Sequence, residues 1–157
     1  MERDVYPASQ ALNDITASRQ AVADRLITPR WYHPVLALGI AGFILGVGLL
    51  PVPWSVLPSL LLAILCGWLI GAYSRLTGIW VRPTMGQWSG RLWIMHSVIL
   101  VACVLPAILA MSRLVQPPIW LLIAAAVVAA GATMIIGPRI DAAMRAELRA
   151  GVARSRR

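Results

Sequence analysis

"HPVLALGIAGFILGVGLLPVPWSVLPSLLLAILCGWLIGAY", residues 33–73, decides the fold. The stretch contains no Asp, Glu, Lys or Arg. A helix of roughly 20 predominantly apolar residues crosses a ~30 Å hydrocarbon core, and this run holds two such lengths, 33–50 and 54–73, on either side of "PVP" at 51–53. Proline is tolerated at a turn and in a first helical turn, where amide donors have no intrahelical acceptor. The stretch therefore predicts a helical hairpin in lipid, with Trp54 at the boundary.

Two further windows outside the hairpin, 93–112 and 117–137, are equally apolar, and "SRLVQPP" at 112–118 turns one into the other. Over 157 residues the chain is 59% hydrophobic and only 13% charged, with mean hydropathy +0.76. Soluble domains carry about 25% charged residues. The expected class is all-α, an integral membrane four-helix bundle over residues 31–138. A cytoplasmic amphipathic N-terminal helix precedes it in 1–30, and a short basic C-terminal helix or tail follows in 139–157.

In "SQALNDITASRQAVADRLIT" (9–28), Leu12, Ile15, Val22 and Leu26 form a thin apolar stripe, with Ser9 as N-cap and Thr28-Pro29 as the stop. These early residues include Glu2, Asp4, Asp14 and Asp24, unlike a basic and then apolar leader, so the first span is expected to act as its own insertion signal. "GPR" at 137–139 is expected to close the fourth span. Beyond it Ile140, Met144 and Leu148 recur at steps of four, with Arg145 and Arg149 on another face.

Arginine sets the orientation. Of the 14 basic residues, all arginine, only Arg113 falls on the side of the short 51–53 and 112–118 turns. The positive-inside rule then places both termini in the cytoplasm of a bacterium, beside anionic headgroups. The net charge of +8 is read as topology, not as nucleic-acid binding. The connection 74–93, "SRLTGIWVRPTMGQWSGRLW", interleaves arginine and tryptophan as a loop at headgroup depth does. Interface anchors are thus expected at Arg30, Trp31, Tyr32, Trp80, Arg82, Trp88, Arg91 and Trp93.

Chemistry inside a bilayer usually needs an ionisable group at depth, and the span interiors carry none. His33 and His96 remain, both near the cytoplasmic rim, as a possible relay or ligand pair if the first and third spans pack together. Two histidines fall short of the four ligands of a structural zinc site. Cys66 and Cys103 lack any CxxC spacing. No catalytic, cofactor or metal residue is assigned. Small residues speak instead of packing: Gly42 and Gly46 in the first span, and Ala63, Gly67 and Gly71 in the second. Pro106 lies inside the third span, where a kink is expected.

At "ADRLITPRWYHPVLALG" and "YSRLTGIWV" the chain resembles the small four-span membrane proteins of unknown function common in high-GC Gram-positive bacteria. The resemblance implies the topology and no activity. Together these readings predict a non-enzymatic accessory, regulatory or scaffold subunit acting through its cytoplasmic ends, with a protein partner or a second copy. The alternative is a small transporter working as a homo-oligomer. Small multidrug exporters, similar in size, rely on a glutamate in the first span, which this chain lacks.

Overall fold

The apolar windows fold as helices because each backbone amide then finds its partner within the segment, the requirement that lipid imposes. The computed structural model describes residues 8–25, 28–77, 86–112 and 115–150. It contains α1 (Ala8–Arg25), α2 (Tyr32–Leu49), α3 (Val56–Thr77), α4 (Gln87–Met111) and α5 (Ile119–Arg149). Helices α2 to α5 are each long and apolar enough to cross a membrane, and no strand occurs among the described residues.

Two boundaries differ from the sequence expectation. Helix α4 starts at Gln87, six residues before the expected 93, so Trp88, Arg91 and Trp93 ride on its first two turns and not in a loop. Trp80 and Arg82 lie outside the described residues. Helix α5 does not close at 137–139 but runs unbroken from Ile119 to Arg149 with Pro138 inside it. Proline has no N–H for the carbonyl of Met134, a loss of roughly 3 kcal/mol in a helix interior. The buried seam explains the continuation. Leu122, Ala126, Ala129, Thr133, Ile136, Ile140 and Ala143 are all buried at alternating steps of four and three, so packing carries through the proline.

At 1.5 Å per residue α5 is about 46 Å long, well over the ~30 Å core. Its last turns, "RIDAAMRAELR" at 139–149, lie past the length that a span needs and carry the charged residues of the helix. Residues 139–149 of the expected tail are the end of that helix, and 151–157 lie outside the described residues.

Helix α5 is the centre of the assembly. It packs on α2, α4 and, near its C-terminal end, α1, while α2 also packs on α4 and α3. The core is Ile40, Ile44 and Val47 from α2, Cys103 and Ala107 from α4, and Leu122, Ala125, Ala126 and Ala129 from α5. Alanines on α5 bring the three backbones close, which matters because lipid gives no hydrophobic drive for helices to associate and contact must come from fit.

Helix α3 leans on α2 as its main neighbour. Gly46 faces the Pro58 ring and Gly39 faces Leu65, the pattern of an antiparallel hairpin. Its turn includes a cis Val52–Pro53 bond, and the Ser55 amide donates to the Pro51 carbonyl. Beyond their own helical turns, Gly42, Gly67 and Gly71 have no atom within 4 Å of where a Cβ would stand, and Ala63 is exposed. Of the small-residue positions read from sequence, Gly46 therefore meets another helix of this chain and the other four face outward.

The break between α1 and α2 falls at Thr28-Pro29, both non-helical. Of the stripe expected on α1, Ile15 is exposed, while Leu12, Val22 and Leu26 lie outside the described side chains. Ala23 is fully buried where α1 meets α5. α1 and the C-terminal part of α5 thus share one end of the bundle.

Candidate functional site

Among the described residues, three polar ties between helices gather at that shared end, each with one partner on the C-terminal part of α5. The first tie is at the opening residues of α2. His33 Nε2 lies 2.9 Å from Asp141 Oδ2, with side chains only 13% and 17% exposed. His33 Nδ1 is buried without a partner and rests against Gly137. Any side chain at Gly137 would collide with the imidazole, so glycine there lets the ring reach across to the next turn of α5, where Asp141 stands. With Nδ1 unpartnered, Nε2 is the nitrogen that donates its proton to the carboxylate.

His96 is half-buried in α4, and its Nδ1 also lacks a partner. Among the described residues no three His, Cys, Asp or Glu side chains converge as a metal set would. Cys103 is buried in the core and Cys66 half-buried on α3. The Thr133 hydroxyl donates to the Ala129 carbonyl of its own helix at 2.8 Å.

The second tie caps α4. Gly86 precedes the helix in extended conformation and has no side chain to satisfy the free amides. Glu147 supplies the acceptor from α5: Trp88 N–H donates to Oε1 at 2.6 Å, Ser89 N–H to the same oxygen at 3.3 Å, and the buried Ser89 hydroxyl to Oε2 at 2.6 Å. A carboxylate here also meets the positive end of the helix dipole. Gly86 has a steric reason as well, since a Cβ would coincide with the Glu147 carboxylate.

Partial burial pushes the Glu147 carboxyl up, but the Ser89 hydroxyl and the two amides outweigh it and hold the group below its ordinary value. A depressed folded value gives stability that is full above the unfolded carboxylate pKa and fades as pH falls through the folded one. Acid unfolding in detergent should therefore lose this contribution only below about pH 4, and Ser89→Ala should move the loss to higher pH. Matching profiles for Ser89→Ala and wild type would discount the cap.

The third tie, Arg149 Nη2 to Asp24 Oδ1 at 2.9 Å, joins α5 to α1 with both side chains about two-thirds exposed. Exposed pairs contribute about 0–1 kcal/mol. Arg149→Ala should leave the melting temperature within about 2 °C of wild type, and a larger fall would mean that α1 is held by this pair more than by Ala23.

The aromatic anchors form a cluster. Trp31 stacks obliquely on Trp68 with ring centroids 5.5 Å apart, Tyr32 meets Tyr73 at 5.9 Å and the His33 ring edge-on at 5.4 Å. Tyr32 and Trp31 thus join the start of α2 to α3 while Trp31, Arg30, Trp88, Arg91 and Trp93 keep exposed surface. Below Thr28, Arg30 and His33, between α2 and α5, lies an open cleft of about 320 Å³ that Pro138, Asp141 and Arg145 also line.

Sequence reading found His33 but missed Asp141 and Glu147. The available signal was composition: after Asp24 these are the chain's only acidic residues, and both lie in the segment that was read as a basic tail. No protein-family model, no curated protein and no solved structure matches the chain, so the site rests on its own geometry.

Proposed function

We propose that the chain is a non-enzymatic multi-pass protein of a bacterial cytoplasmic membrane, with both termini cytoplasmic, that serves as an accessory, regulatory or scaffold subunit. Its working surface is the end built from α1 and the last third of α5. One observation carries this reading: the three polar ties between helices, His33–Asp141, Ser89–Glu147 and Asp24–Arg149, all fall on the α5 extension. The core below them is apolar from Ile40 to Leu122. Polar bonds that fix a helix beyond the lipid are what a presented surface requires, and a closed apolar interior offers no conduit. The likeness to small four-span proteins of high-GC Gram-positive bacteria belongs to the same proposal.

Orientation is tested in a Cys66→Ser/Cys103→Ala background. A membrane-impermeant maleimide applied to spheroplasts should label Gln116→Cys at once and Ser18→Cys only after permeabilisation; the reverse order would place the termini outside. Function is tested by photocrosslinking in cells from the exposed α1 positions Asn13 and Gln20, with lipid-facing Val101 as control. A discrete protein adduct, to a partner or a second copy, is expected from α1 and not from Val101. Absence of any adduct, or solute flux in proteoliposomes that His33→Ala abolishes, would favour the transporter reading instead.

A further inference from the structure

The cleft between α2 and α5 joins charged groups to exposed apolar side chains. Arg30 and Arg145 contribute guanidinium groups, and Asp141, whose carboxylate is engaged by His33, leaves the lining with positive charge. Arg145 is also in electrostatic contact with Tyr73. The Thr28 hydroxyl is buried beside Tyr73 at the edge of the cleft. Trp31 stands exposed next to Arg30, the pairing typical of headgroup depth.

Pro34, Met134 and Pro138 line the cleft on its apolar side, and exposed apolar residues follow them along both helices. Pro34 and Leu38 follow each other at one helical turn on α2, and Pro138, Met134 and Val127 share one face of α5 at steps of four and seven. Leu38 is 73% exposed, Val127 66% and Met134 52%. Arginine pairs favour phosphate oxygens through charge-assisted hydrogen bonds, and basic pockets between membrane helices suit anionic lipid headgroups.

We propose that this cleft seats the phosphodiester of an anionic phospholipid, held by Arg30 and Arg145, while one acyl chain lies along Leu38, Met134 and Val127. The track selects a lipid over a soluble phosphate, which would use the cleft alone. The positive lining selects an anionic headgroup over choline, whose ammonium it repels. The site concerns lipid binding and stands whether or not the chain acts as a scaffold.

The test uses the purified full-length protein in detergent and native mass spectrometry with three probes: phosphatidylglycerol, phosphatidylcholine and glycerol 3-phosphate. Phosphatidylglycerol adducts should persist, and Arg30→Gln/Arg145→Gln should weaken them about tenfold. Arg75→Gln and Arg91→Gln, on exposed arginines outside the cleft, should not. Arg30→Gln alone, in a non-helical segment, should give a smaller loss and keeps the test decisive if the double variant fails to fold. Equal retention of phosphatidylglycerol by Arg30→Gln and wild type, equal binding of phosphatidylcholine, or equal binding of glycerol 3-phosphate would each overturn the assignment.

Discussion

Ala129→Leu should be among the most damaging single substitutions in the chain. Ala129 is fully buried on α5 and belongs to the cluster that joins α5 to Ile40, Ile44 and Val47 of α2 and to Cys103 and Ala107 of α4. A leucine there adds three carbons at a position with no exposed surface. Overpacking typically costs about 1–3 kcal/mol in a close-packed core. Because lipid supplies no compensating hydrophobic gain for a helix that must move aside, relaxation amounts to separating α5 from a neighbour. At about 2–4 °C per kcal/mol, melting in mild detergent should fall by roughly 3–10 °C. Val127→Leu, two residues away on the lipid-facing side, should leave the midpoint unchanged. Equal behaviour of the two variants would mean that the three-helix seam does not limit stability.

The second large effect is expected at Asp141. Removing its carboxylate with Asp141→Ala leaves His33 with both ring nitrogens unpartnered, Nδ1 lacking a partner already. Hydrogen bonds to charged groups contribute roughly 1.5–3 kcal/mol, and the small residual exposure of this pair keeps the expectation near the lower end of that range. Asp141→Asn retains an acceptor oxygen and should cost less than half as much. The deciding measurement is a double-mutant cycle with His33→Ala, in which the two losses should fall short of adding by about 1 kcal/mol. Strict additivity would mean that histidine and aspartate act independently and that this pair does not hold α5 past Pro138.

Both expectations rest on α5, the helix least completely read from sequence. Pro138 next to Gly137 is a good stop signal in an isolated segment. The stop was overridden by contacts that no local pattern announces: a carboxylate bonded to a histidine 108 positions earlier, and a second carboxylate bonded to a serine 58 positions earlier. His33 itself was legible, since an isolated histidine at the mouth of an uncharged span is conspicuous. Its partner was not, because Asp141 sits among arginines that any charge count assigns to a solvated tail. The early start of α4 was hidden in the same way. Gly86 supplies no capping side chain, and the cap comes from Glu147.

By itself the sequence determined that the chain has four helices long and apolar enough to cross a membrane, a tight turn at 51–53 and an arginine-poor side. Hydropathy, proline geometry and side-chain charge act residue by residue, so they can be read without knowing what lies opposite. Only the tertiary structure decided which helices touch: α5 at the centre, α3 on the flank of α2, Gly46 inward, and Gly42, Gly67 and Gly71 outward. In lipid every face of a spanning helix is apolar, so no polar face marks where a neighbour packs, and the choice falls to shape and to a few polar bonds at the rim.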